Sequence, residues 1–115
     1  MITVLGAMAG FFAVALGAFG AHALGDTMSD KATGWWETAT LYLLVHAALV
    51  TALSAHSVEK FGTSAATLLA GAVLFAATLY AMALGAPRWF GAITPIGGLG
   101  MLAGWAMIAW AALKA

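Results

Sequence analysis

Cysteine is absent from this chain of 115 residues. That absence excludes disulfides, thiol nucleophiles, thiolate metal sites and palmitoylation together. Charge is scarce as well. Four basic and four acidic residues cancel to a formal net charge of zero, and only 7% of positions are charged. A soluble domain carries about 25% charged residues, so a water-facing surface could not be covered with what is here. There is no basic patch, and nucleic acid is not an expected partner. Proline occurs only at Pro87 and Pro95, so most of the chain is free of helix breakers.

What is present is apolar. Hydrophobic residues make up 64% of the chain and the mean hydropathy is +1.03. Residues 2–25, 38–58, 61–87 and 89–113 contain no Lys, Arg, Asp or Glu. Each run can cross a hydrocarbon core of about 30 Å, which takes about 20 helical residues. The runs are unbroken rather than alternating, which opposes a barrel and leaves helices as the spanning element. The fold expected is all-α: a single-domain, integral membrane, up-and-down four-helix bundle. Its helices fall near residues 2–24, 30–56, 64–85 and 95–113. Ala21-His22-Ala23 looks like a small-residue cleavage site, but no Lys or Arg precedes the first run, and the run is long for a signal core. It is read as a retained span.

Local signals place the helix ends. Ser29 or Asp30 is a candidate N-cap for the second helix, and Trp35 and Trp36 suit the headgroup level. Ser57 to Thr63 reads as a turn, with Thr63 or Ser64 capping the third helix. Gly85-Ala86-Pro87-Arg88 closes that helix. Thr94 before Pro95 reads as N-cap and first helical position, with residues 88–93 as a short interfacial segment. Small residues recur at Gly6, Gly10, Ala13, Gly17 and Ala21, and again at Gly97, Gly98, Gly100 and Gly104. Such stripes let helices approach closely. Gly6, Gly10, Gly17, Gly97, Gly100 and Gly104 are the expected packing positions.

Ionisable groups inside a span are functional candidates by default. His46 lies deep in the second helix, and Thr38, Tyr42 and His46, spaced at i, i+4 and i+8, are expected to share one face. This histidine either locks helix packing through a Tyr hydroxyl or a carbonyl, or serves a proton relay or ligand. Up-and-down topology gathers His22, Asp26, Glu37, Arg88 and Thr94 at one membrane face. A Glu37 contact to Arg88 or His22 is expected there, because a carboxylate near the hydrocarbon boundary is costly unless paired. No pair of histidines has i, i+4 ligand spacing, so no metal is expected, and no cofactor. No catalytic triad, carboxylate dyad or phosphate-binding loop is visible, and an enzyme is not expected.

The strings Gly17-Ala-Phe-Gly-Ala-His-Ala-Leu24, Tyr42-x-x-x-His46, Gly91-Ala-Ile-Thr-Pro-Ile-Gly-Gly98 and Ala103-Gly-Trp105, taken in this order, resemble the YgdD-like family of small bacterial inner-membrane proteins. The resemblance covers essentially the whole chain. It implies a four-helix inner-membrane protein of unassigned activity, and it brings no catalytic residues. Relatives often carry Gln after the tyrosine of the second helix, where this chain has Leu43.

An even number of spans puts both termini on one side. Lys60 and Lys114 share that side, and Lys31 and Arg88 the other, so the positive-inside count ties. The free amino terminus tips the expectation toward cytoplasmic termini, and the tie also admits insertion in both directions. Two functions remain. One is a structural or accessory subunit in the lipid bilayer, self-associating or part of a larger membrane complex through its Gly/Ala seams. The other is a small-solute or proton-linked transporter using His46, Tyr42 and the polar mouth.

Overall fold

A computed structural model describes residues 1–114 and contains no strand among them. Helix α1 spans Ile2–Phe19 and continues into a π-helical turn at Gly20–Leu24. Helix α2 spans Asp30–His56, α3 Val58–Ala83 and α4 Thr94–Leu113, with a 3-10 turn at Arg88–Ala92 before α4. All four helical stretches are long and apolar enough to cross a membrane.

The caps explain the boundaries. Of the two candidates, Ser29 caps α2: its side chain accepts from the Ala32 N–H at 3.1 Å. The third helix begins earlier than the sequence suggested. Neither Thr63 nor Ser64 caps it; both lie inside α3. A single extended residue, Ser57, separates α2 from α3, and its hydroxyl oxygen accepts from the Lys60 N–H at 3.2 Å. Glu59 then stands in the first turn, where the helix dipole favours an acid. The α3 C-terminus is a Schellman motif. Ala86 N–H donates to Ala81 O, and Gly85 N–H to Met82 O. Gly85 takes the positive φ of 109° that this cap requires.

The helices form a curved row in chain order. Helix α2 packs between α1 and α3, α3 between α2 and α4, and α1 does not meet α4. The molecule is accordingly flat, 49 × 26 × 19 Å. Buried positions on α2 run Trp36, Ala39, Leu43, Ala47, Val50 and Ser54, a stripe at helical spacing. Helix α3 is the central element and is buried on more than one side, from Ser64 to Met82. The outer helices bury little: Gly6 and Ala13 on α1, and Thr94, Gly97, Met101 and Gly104 on α4. Their other faces carry Phe11, Phe12, Leu99 and Leu102, all exposed. In a bilayer these residues meet lipid tails.

Candidate functional site

The α2 stripe carries His46 inward, where it is 5% exposed. Both ring nitrogens are engaged. Nδ1 lies 2.7 Å from the Tyr42 carbonyl, and the Trp105 indole N–H donates to Nε2 at 3.1 Å. A carbonyl only accepts and an indole N–H only donates. The pair of bonds therefore selects one neutral tautomer, with hydrogen on Nδ1 and an unprotonated Nε2 whose lone pair accepts from Trp105. A proton added at Nε2 would break the bond from Trp105.

Tyr42 stacks on His46 with centroids 6.2 Å apart and contacts Phe75 at 4.8 Å. Thr38 does not join them: it is exposed. Residues four apart drift about 40° round a helix of 3.6 residues per turn, so the i, i+8 pair does not share a face. Because α2 and α4 flank α3 and meet through side chains such as His46 and Trp105 rather than by close backbone approach, a groove of about 520 Å³ lies between them, lined by Tyr42, His46, Phe75, Leu99 and Trp105.

Other polar groups join neighbouring helices in the same manner. The Trp36 indole donates to the Leu16 carbonyl at 2.8 Å, tying α2 to α1. That bond meets α1 one turn before the π segment, and Trp36 occupies the space a side chain at Gly20 would need. Thr40 and Tyr80 hydroxyls lie 2.6 Å apart, joining α2 to α3. Thr3 and Ser54 bond at 2.8 Å between α1 and α2.

Thr94 is not the N-cap expected of it. It is the first residue of α4, and Ile93 occupies the cap position without a side-chain bond. Its hydroxyl instead bonds Thr78 at 2.7 Å, while Thr78 lies 2.9 Å from the Phe75 carbonyl. This links α3 to α4 at a buried site. Among the described residues, no buried side-chain nitrogen or oxygen lacks a hydrogen-bond partner.

The polar mouth does not assemble as expected. His22, Glu37 and Arg88 are all exposed. Glu37 lines a recess between α1 and α2 with Gly17, Gly20 and Trp36, whereas Arg88 lines a different one with Trp35, Met82 and Pro95. Among the described residues Glu37 forms no ion pair with Arg88 or His22. The row architecture is the reason. With α1 and α4 apart, the two connections on this face stand at opposite ends of the row. Lys31 rests instead over the Trp35 ring, 5.7 Å from its centroid.

Apart from Gly98, where a Cβ would meet nothing within 4 Å, the glycine stripes face contacts within the chain. On α1, a Cβ at Gly6 would meet the Thr51 hydroxyl at 2.7 Å, and one at Gly17 the Thr40 methyl at 2.9 Å. Gly10 has more room, with Ala47 at 3.7 Å. On α4, Gly97 lies against the Phe75 and Gly71 backbone, Gly100 against Gly71, and Gly104 against Leu68. Sequence reasoning missed Gly71 and Gly20 as packing glycines, and Trp105, Thr78, Thr40 and Tyr80 as polar partners. Trp105 already stood out in the Ala-Gly-Trp string, and Tyr80 was visible as a second intramembrane hydroxyl on an aromatic ring.

Four apolar spans with internally paired polar groups define a small polytopic membrane protein. The family model described as "Protein of unknown function (DUF423)" matches residues 16–98. The chain is 37% identical over 115 residues to the UPF0382 inner membrane protein YgdD of Escherichia coli K12, covering 96% of this chain and 88% of the relative. It is 43% identical over 111 residues to a UPF0382 membrane protein of Haemophilus influenzae, covering 94% and 90%. A Staphylococcus epidermidis UPF0382 membrane protein is 40% identical over 117 residues, covering 96% and 93%. The chain belongs to this UPF0382 family of inner-membrane proteins of unknown function. No solved structure matches it.

Proposed function

We propose that this protein is a structural or accessory subunit of the inner membrane. The observation that carries the reading is the complete internal pairing of buried polar side chains. Transport of a polar solute needs groups that can exchange partners along a path. Here His46, Trp105, Thr40, Tyr80, Thr78 and Thr94 hold helices together instead. Interhelical hydrogen bonds and close packing are what drive association in lipid, where apolar burial supplies no force. Gly6, Gly17, Gly97, Gly100 and Gly104 are occupied within the chain, so association with a second copy or a partner would use the outer faces of α1 and α4, such as Phe11 and Trp110.

The test is the mass of the full chain extracted with its surrounding membrane in native nanodiscs. A self-assembled or partner-bound particle is expected. A lone protomer with no co-purifying protein would contradict the reading.

One observation favours transport as the second reading: Tyr42 and His46 line the groove between α2 and α4. Proteoliposome flux across pH 5–8 separates the two. Equal leakage from the wild type, His46→Leu and empty liposomes supports the packing reading, and flux abolished by His46→Leu supports transport.

A further inference from the structure

We propose that the groove between α2 and α4 is a binding site for a single anionic phospholipid. Its acyl chain would lie in the groove and its phosphate on Arg88. Three observations converge on this occupant.

The first is continuity. The recess holding Arg88 and the groove holding His46 share Phe75 and Pro95, so one furrow runs from the connection before α4 into the span. From Pro95 to Trp105 it follows ten residues of helix, or about 15 Å at about 1.5 Å per residue. That is half of a hydrocarbon core of about 30 Å, the depth of one leaflet.

The second is charge. Arg88 is exposed at the mouth and forms no ion pair among the described residues. Trp35 lines the same recess and carries Lys31 over its ring. Two cations thus flank the headgroup end. No acid lines the Arg88 recess: Glu37 lines the α1–α2 recess, Asp26 is exposed on the α1–α2 connection, and Asp30 is exposed at the start of α2 beside Lys31. Basic pockets between spans are a recognised mode of anionic-lipid binding.

The third is an unused donor. Unlike the Tyr80 hydroxyl, which meets Thr40, the Tyr42 hydroxyl has no partner among the described residues. Tyr42 lines the groove one turn closer to Arg88's side than His46. Side chains on a helix lean toward its N-terminus, which for α2 is the Arg88 side. An ester carbonyl of the bound lipid would accept from this hydroxyl.

The test uses the full chain in mild detergent, incubated with phosphatidylglycerol or with phosphatidylcholine of the same chains, and read by native mass spectrometry. One phosphatidylglycerol should be retained under activation that strips phosphatidylcholine. Arg88→Ala should reduce retention about fivefold, the weight of one interfacial cation. Gly98→Leu should abolish it by filling the groove; a Cβ at Gly98 meets nothing within 4 Å, so the helix tolerates the change. Gly34→Leu is the control, being equally uncrowded and outside the groove. Equal retention of the two lipids, or retention unchanged in both Arg88→Ala and Gly98→Leu, would overturn the proposal. So would a dimer that Gly98→Leu dissociates while no lipid is held, since a second copy would then fill the groove.

Discussion

The two outer helices both pack through glycine, but they meet different things. On α1, glycines receive side chains: Thr51 and Val50 at Gly6, Thr40 at Gly17, Trp36 at Gly20. On α4, Gly97 and Gly100 receive the α3 backbone, while Gly104 receives the Leu68 side chain. A Cβ at Gly97 would lie 2.5 Å from the Phe75 nitrogen, and across the same contact one at Gly71 of α3 would lie 2.6 Å from the Met101 nitrogen. A side chain can rotate or shift to admit a methyl group. A helix backbone yields only by moving the whole helix. The α3–α4 contact is therefore the rigid edge of the row, and the α1–α2 contact the adaptable one.

The largest effect should come from the rigid edge. Gly71→Ala is expected to cost about 3 kcal/mol, the upper end for overpacking, read as unfolding in an SDS titration of the detergent-solubilised protein. Gly20→Ala should cost less, about 1–2 kcal/mol, because Trp36 can retreat at the loss of its bond to Leu16. If Gly20→Ala proves the more damaging, the contrast between the seams is reversed. A smaller effect belongs to the hydroxyl pair. A double-mutant cycle of Thr78→Val and Thr94→Val should give a coupling of about 0.6 kcal/mol, and no more than about 1.7. Zero coupling would remove Thr94 from the account of α4. Smallest of all is Gly10→Ala, where Ala47 stands at ordinary contact distance. No loss is expected there, or a slight gain, since alanine favours helix by up to about 1 kcal/mol over glycine.

Much of this architecture is legible from hydropathy. Four charge-free runs of spanning length leave few alternatives in lipid. The start of α3 was legible too, but in a different signal. Ser57 followed by Glu59 is an N-cap with an acidic first turn, and reading the charged pair Glu59-Lys60 as a loop concealed it. Lateral arrangement is what the chain does not display. Spacing along one helix says which residues share a face, not which neighbour that face meets. Glu37 and Arg88 lie on the same membrane side, yet the open row keeps them in separate recesses. Gly71 escaped notice for a related reason: it is isolated in its own helix, and its stripe is completed by Gly97 and Gly100 of another. His46 was evident as a buried ionisable group, whereas its partner Trp105 lies 59 positions away.

The central claim is that polar groups within the spans serve packing, and His46 is the group on which it turns. The direct measurement is the nitrogen NMR spectrum of 15N-histidine-labelled protein in lipid bilayers at neutral pH, with the His46 signals assigned by their loss in His46→Leu. The account predicts a neutral ring with hydrogen on Nδ1, and an unprotonated Nε2 whose shift moves when Trp105→Phe removes its donor. A charged ring, a ring protonated on Nε2, or an Nε2 shift indifferent to Trp105→Phe would contradict it.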